Sequence, residues 1–165
     1  MKGFENLAYM MAYIVSNLAA IVLLLTAWKT PRISRFLFFL LFAWAGWVNW
    51  RTAHNDPNVY LEYAEMSFLK LYSDFILGWF SRHITAVIST IAISQLMISI
   101  SMLLKGRILK LGCIAAIVFL LAIAPLGIGS AFPFSLIASA ALLFILRNKT
   151  NNYLWVNHKL GYARH

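Results

Sequence analysis

The sequence predicts an all-α integral membrane protein built as a five-transmembrane-helix bundle, and two features carry that prediction. Of its 165 residues, 62% are hydrophobic and 12% are charged, whereas soluble domains carry about 25% charged residues. The charged residues also divide the chain into long uncharged runs. We therefore expect one transmembrane domain over residues 1–147 and a polar tail over 148–165.

The first two predicted spans lie on either side of a short basic turn. Residues 6–28 contain no charged side chain, and a helix of that length crosses a hydrocarbon core of roughly 30 Å. The second uncharged run, 36–50, is short. We expect Arg35 and Arg51 to lengthen it to about 35–52, because long basic side chains can extend along a helix toward the interface.

Three further spans are predicted in the second half of the chain. Residues 84–104 are uncharged and end at a second basic turn. The next uncharged stretch, 111–146, would be about 54 Å long as a single helix, which no bilayer accommodates. Two prolines and two glycines between Pro125 and Pro133 interrupt it and predict a hairpin. The predicted hairpin helices are 108–124 and 132–147.

The distribution of basic residues predicts the orientation. Ten of them fall in the two basic turns and the tail, and four fall on the other side. The positive-inside preference then places the N-terminus outside and the C-terminus in the cytoplasm. Because the net charge of +9 is concentrated at the ends of apolar runs, the expected partner is the lipid bilayer and no nucleic acid is expected.

The longest polar stretch lies between the second and third spans. Asp56 followed by Pro57 is typical of a helix start, and residues 57–80 predict an external amphipathic helix that lies in the interface or dips into the membrane. A full crossing is disfavoured because it would bring four charged residues into hydrocarbon. These residues are Glu62, Glu65, Lys70 and Asp74.

An Arg and a His flank this external segment on each side. One interpretation is anchoring at the interface, with Arg51 and Arg82 paired to acids or lipid phosphates. The other is a ligand site at the outer mouth of the bundle, where these groups donate hydrogen bonds to a quinone-type head group and aromatic rings flank it. The candidate residues are Arg51, His54, Arg82, His83, Trp47, Trp50 and Trp79.

Haem is disfavoured at these histidines. Helical bis-His haem sites place both ligands inside the membrane, whereas His54 and His83 lie at the predicted edge. No metal site is predicted, and the single cysteine, Cys113, lies in an apolar run and is interpreted as a buried small side chain.

The predicted helix cores contain no ionisable side chain, which weakens a proton-coupled or ion-coupled transport function. The buried polar candidates are amides, either bonded between helices or in contact with a ligand. They are Gln95, Asn49 and Asn17.

Three pieces of sequence resemble the DoxX-like family of small bacterial membrane proteins. They are Phe42-Ala-Trp-Ala-Gly46, Ser94-Gln-Leu-Met-Ile-Ser-Ile-Ser-Met-Leu-Leu-Lys-Gly106 and Pro125-Leu-Gly-Ile-Gly-Ser-Ala-Phe-Pro133. The resemblance covers about residues 35–147 and implies a four-helix bundle in the bacterial inner (cytoplasmic) membrane, in a family sometimes linked to quinone-coupled oxidation of sulfur compounds. Helix 6–28 is extra, and Gln95 stands where the family often has Glu.

Three functions are compatible with these features. The first is an accessory or structural subunit that binds other membrane subunits or forms a homo-oligomer, with no catalytic residue assigned and no established cofactor. The second is a DoxX-like redox-associated protein with the quinone-type site described above. The third, a small-solute transporter, ranks last because five helices in 165 residues leave little room for an enclosed alternating-access path unless the protein oligomerises.

Overall fold

The computed structural model describes residues 7–148 and 153–154, and within them every regular element is a helix. The all-α prediction is confirmed. The α-helices are α1 Leu7–Lys29, α2 Pro31–Asn55, α3 Tyr63–Met66, α4 Lys70–Leu77, α5 Ile84–Leu103, α6 Gly106–Ile123 and α7 Phe134–Arg147. Short 3-10 helices lie at Pro57–Glu62, Phe80–Arg82 and Ala124–Ser130.

Four helical segments are long and apolar enough to cross a membrane. They are Met10–Lys29, Pro31–Asn55, Ile84–Leu103 and Gly106–Ser130. Helix α7 has 14 residues and is therefore about 21 Å long, less than the thickness of the hydrocarbon core.

Helices α2 and α5 pack against each other in an antiparallel register with a seven-residue repeat. Thr85 Oγ1 donates to Ala53 O at 3.1 Å, and Ser99 Oγ donates to Phe39 O at 2.9 Å. Midway between these bonds, a Cβ added to Gly46 would lie 2.9 Å from Ala92 O. Small and hydroxyl side chains on facing positions therefore allow the two backbones to approach closely, as small residues do between membrane helices in general.

Two hydrophobic clusters form the core. The larger, toward the end that carries the basic turns, is built from α1, α2, α5, α6 and α7 and includes Phe38, Phe42, Met102 and Leu142. The smaller lies at the opposite end, where the segment between α2 and α5 packs on the ends of those helices. Its buried members are Ala53, Tyr60, Ala64, Ile76, Phe80, Ile84 and Ile88.

The segment predicted as one external helix over 57–80 is instead broken into short helices. The chain is extended at Ser67 and Leu69, between α3 and α4. There Phe68 N and Ser67 Oγ both donate to Pro125 O, at 2.9 and 3.1 Å. These bonds to the α6–α7 turn take the place of the backbone hydrogen bonds that a continuous helix would form here. We call residues 56–83 the outer cap, because they cover the end of the bundle that the charge distribution predicts to face outside.

Candidate functional site

The two histidines of the predicted outer-mouth site adopt the same local arrangement. His54 stacks on Trp50 with ring centroids 4.6 Å apart, and His83 stacks on Trp79 at 4.5 Å. Each Nδ1 lies within hydrogen-bond distance of its tryptophan's carbonyl oxygen, at 2.8 and 2.9 Å. A carbonyl oxygen only accepts, so each Nδ1 carries the proton and each Nε2 is left for an outside partner.

The arginines and tryptophans of this set lie on the outer surface. Arg51 and Arg82 are exposed, and the Arg51 guanidinium lies 5.7 Å from the centroid of the Trp47 ring. Within the described residues neither arginine forms a salt bridge to an acid. Trp47 and Trp79 are each 55% exposed.

The structure therefore brings the two Arg–His pairs, which lie at or beside the two ends of the outer cap in sequence, to one end of the bundle. They lie around the edge of that end, which we call the rim. The bond from Thr85 to Ala53 holds the end of α2 beside the start of α5. The space between the helix ends is filled by buried side chains of the outer cap, including Tyr60 and Phe80. A ligand at this rim would contact the outer surface of the helices.

A second polar arrangement links the outer cap to the bundle. Tyr60 Oη donates to Asn49 Oδ1 at 2.9 Å, and Asn49 Nδ2 donates to Gln95 Oε1 at 2.8 Å. Gln95 is 3% exposed. Burial, with a smaller contribution from Tyr63, raises the pKa of Tyr60 to about 12. The predicted polar residues Asn49 and Gln95 thus meet in one chain of side-chain hydrogen bonds, which Tyr60 extends.

The third predicted amide, Asn17, lies elsewhere. Its Nδ2 donates to Ala131 O at 3.1 Å and to Tyr13 O at 3.0 Å, joining α1 to the α6–α7 turn. Asn17 Oδ1 is buried without a hydrogen-bond partner in the described part of the chain, and so is Ser135 Oγ at the start of α7.

Arg35 corrects two sequence-based expectations. It is 3% exposed, so the prediction that the helix cores contain no ionisable side chain is wrong for this residue. It also does not end in lipid or water: its Nε and Nη2 donate to Met102 O and Leu104 O, at 3.0 and 2.6 Å. These are carbonyls at the end of α5, which the helix itself leaves without donors.

The position of Pro31 is the sequence signal that could have identified Arg35. Proline favours the first position of a helix, and α2 begins at Pro31 rather than near residue 35. That start places Arg35 in the second turn of the helix, on the same face as the buried residues Phe38 and Phe42.

Neither the two His–Trp pairs at the rim nor the Tyr60–Asn49–Gln95 chain has the composition of a metal centre. Residues 7–148 and 153–154 contain no group of three or more His, Cys, Asp or Glu side chains that could hold a metal ion. What the two arrangements offer is hydrogen bonding: outward-facing imidazole nitrogens at the rim, and a neutral amide–phenol chain inside. In comparisons with protein-family models, curated proteins and solved structures, the chain matches none of them.

Proposed function

We propose that this chain is a five-span membrane protein that acts as an accessory subunit, with α1 as the contact for another transmembrane helix. The observation that carries the proposal is the outward face of α1. Large apolar side chains recur along it at alternating spacings of four and three residues, and each is 47–67% exposed. They are Leu7, Met11, Ile14, Leu18, Ile21, Leu25 and Trp28.

This spacing is the one that lets two helices pack along a continuous seam. A repeat of 3.5 residues keeps one stripe facing a partner helix over many turns. The opposite face of α1 is used within the protein, where Ala20, Leu23 and Ala27 are buried. No residue between Met10 and Ala19 is fully buried, and on this half of α1 the Asn17 side chain bonds to the α6–α7 turn, so the exposed stripe is the face left for a partner.

The resemblance to DoxX-like proteins and the charge distribution support a bacterial inner-membrane location with the N-terminus outside. We count α7 as the fifth span because the turn before it lies within the protein: Gly127 and Ser130 are buried. Irregular backbone at membrane depth is tolerated where it is buried in protein. The outer cap then lies on the outside, and the basic turns lie in the cytoplasm.

Site-directed labelling tests this topology. In a Cys113→Ala background, Asn58→Cys places a thiol at an exposed position of the outer cap, and Lys110→Cys places one at an exposed position of the opposite end. We expect a membrane-impermeant maleimide to label the first in intact cells and the second only after permeabilisation. The reverse pattern would invert the proposed orientation.

Photo-crosslinking tests the accessory function. A photoreactive amino acid at Leu18, 58% exposed on α1, is compared with one at Met97, 68% exposed on α5. We expect a discrete protein adduct from position 18 and only lipid adducts from position 97. An adduct with a second copy of the chain would identify a homo-oligomer. Lipid adducts alone from both positions would refute the proposal.

The two His–Trp pairs favour a second candidate, a redox-associated protein that binds a quinone-type head group at the rim. Each pair offers an imidazole Nε2 beside an exposed indole ring. With the proton on Nδ1, this nitrogen accepts a hydrogen bond, so it fits the hydroxyl of the reduced, quinol form of the head group. The DoxX-like resemblance supports the same idea. Lipophilic ligands extracted from protein purified in mild detergent should then include a quinone, and the His54→Ala, His83→Ala double variant should lose it. Quinone-free protein, or unchanged quinone content in the variant, would exclude this candidate.

A further inference from the structure

The charges of the described residues are separated between the two ends of the bundle. All four described acids lie in the outer cap, at Asp56, Glu62, Glu65 and Asp74, together with three of the basic residues, Arg51, Lys70 and Arg82, at or beside it. The opposite end holds the α1–α2 turn, the α5–α6 turn and the end of α7, and it carries basic residues only. These are Lys29, Arg32, Arg35, Lys105, Arg107, Lys110 and Arg147.

Arg35 holds the two basic turns side by side. Its guanidinium reaches from the second turn of α2 to the carbonyl oxygen of Leu104, at 2.6 Å. Lys105 follows Leu104 directly, and Arg107 and Lys110 lie at the start of α6. All three are exposed, and we count them with the α5–α6 turn. Between them, Gly106 has a φ of +62°, and a Cβ built on it would meet nothing within 4 Å. The α5–α6 turn is therefore an open surface.

No side chain of the described residues neutralises the three cations of this turn. None of Lys105, Arg107 and Lys110 forms a salt bridge there, although the Lys105 ammonium lies 4.7 Å from the centroid of the Tyr153 ring. The tail from Asn148 to His165 contains no Asp or Glu. Within the part of the chain that the structure describes, these three cations therefore have no acidic partner.

The depth of these cations favours lipid phosphate over a dissolved anion. Lys105 comes directly after the apolar helix α5, and Arg107 and Lys110 lie in the first turn and a half of the apolar helix α6. Residues at the ends of membrane-spanning helices lie at the level of the lipid head groups. Clusters of basic residues there attract anionic lipids, and water screens this attraction less at the protein–lipid boundary than in bulk solution.

We infer that the α5–α6 turn is a binding site for anionic phospholipid head groups, with Lys105, Arg107 and Lys110 holding the phosphate. The inference goes beyond the proposed function, because it requires neither a partner subunit nor a ligand at the rim. An acidic segment of another protein is the alternative occupant.

Lipid selectivity of the purified full-length chain tests the site. The protein is reconstituted in phosphatidylcholine vesicles with spin-labelled phosphatidylglycerol or spin-labelled phosphatidylcholine, and the fraction of motionally restricted label gives the preference. Each cation removed should lower that preference by up to about five-fold. We therefore expect the Lys105→Gln, Arg107→Gln, Lys110→Gln triple variant to bind both lipids equally.

The matched control removes the same charge at the other end, through Arg51→Gln, Lys70→Gln and Arg82→Gln. It should keep the preference to within about two-fold, because four acids already repel anionic lipid there. Circular dichroism on both variants confirms that they are folded. A preference that survives in the first variant, or falls equally in both, would overturn the inference.

Two further outcomes would also overturn it. If inorganic phosphate abolishes the preference where chloride at equal ionic strength does not, the site takes free phosphate. If the unmodified protein shows no preference for phosphatidylglycerol, the surface is not a lipid site, and an acidic protein segment becomes the occupant to test.

Discussion

The Asn49 amide donates to Gln95 Oε1 at 2.8 Å, and this bond joins α2 to α5 between the two hydrophobic clusters. Phe42 of α2 and Ile98 of α5 belong to the larger cluster, whereas Ala53 and Ile88 belong to the smaller. The polar pair thus separates the bundle core from the core under the outer cap. Tyr60 of the outer cap donates a hydrogen bond to Asn49 of the same pair. This small network therefore connects α2, α5 and the outer cap.

A double-mutant cycle with Asn49→Leu and Gln95→Leu should detect this coupling. Either single variant leaves one amide without its partner, whereas the double variant removes both. We expect a coupling free energy of about 0.6 kcal/mol and at most about 1.7 kcal/mol, the average and the maximum for hydrogen bonds between membrane helices. The measurement is the free energy of unfolding in mixed micelles as the fraction of dodecyl sulfate rises.

The matched control pairs Gln95→Leu with Asn17→Leu. Asn17 bonds to the α6–α7 turn and shares no hydrogen-bond partner with Gln95, so their effects should add. Additive effects in both cycles would show that the bond between Asn49 and Gln95 contributes nothing to stability.

The burial of Tyr60 predicts a loss of stability at high pH. Its pKa is raised to about 12, mainly by burial. Between pH 10 and 12 an unfolded chain releases the phenolic proton while the folded chain retains it, so stability falls as pH rises through that window. Since one pKa unit corresponds to about 1.4 kcal/mol, we expect a loss of up to about 2 kcal/mol. Tyr60→Phe should remove this part of the pH dependence, and Tyr72→Phe should not.

The helical segments could be predicted because their signal is local. The absence of charge over 84–104 predicts α5, observed at Ile84–Leu103. The Pro- and Gly-rich stretch predicts the turn between α6 and α7. Each of these features depends on residues next to one another in the chain. Each histidine at the rim also follows the tryptophan on which it stacks by four residues, about one helical turn, so this pairing could be anticipated.

The features that the sequence did not reveal depend on distant contacts. The break between α3 and α4 exists because Pro125 accepts hydrogen bonds from Ser67 and Phe68, and no pattern within 57–80 signals a partner so far along the chain. The burial of Arg35 likewise requires the free carbonyls of α5. From its charge we expected this side chain to extend toward the interface, since the compensating acceptors are more than sixty residues away.

Substitution of Arg35 should destabilise the bundle more than substitution of an exposed arginine. Arg35→Met removes two charge-assisted hydrogen bonds and leaves Met102 O and Leu104 O without their donor. We expect a loss of about 2–3 kcal/mol in the free energy of unfolding. Arg35→Lys should recover part of it, because an ammonium still reaches one carbonyl but lacks the planar fork. The exposed control, Arg82→Met, should change stability by less than about 0.5 kcal/mol. Equal effects at both positions would mean that the contacts of Arg35 do not stabilise the fold.

The approach of α6 to α5 at Gly112 predicts a rescue by a second substitution. A Cβ added to Gly112 would overlap the Ser101 side chain, so Gly112→Ala should cost about 1–3 kcal/mol. In a Ser101→Gly background the obstructing atoms are absent, and the same substitution should be neutral or favourable because alanine is the better helix former. Gly46→Ala provides the contrast: its nearest obstacle is the backbone oxygen of Ala92, at 2.9 Å, which no side-chain truncation removes. The measurement is the unfolding free energy of the unmodified protein, the two single variants and the double variant. An equal cost of Gly112→Ala in both backgrounds would show that the two helices do not pack at this distance.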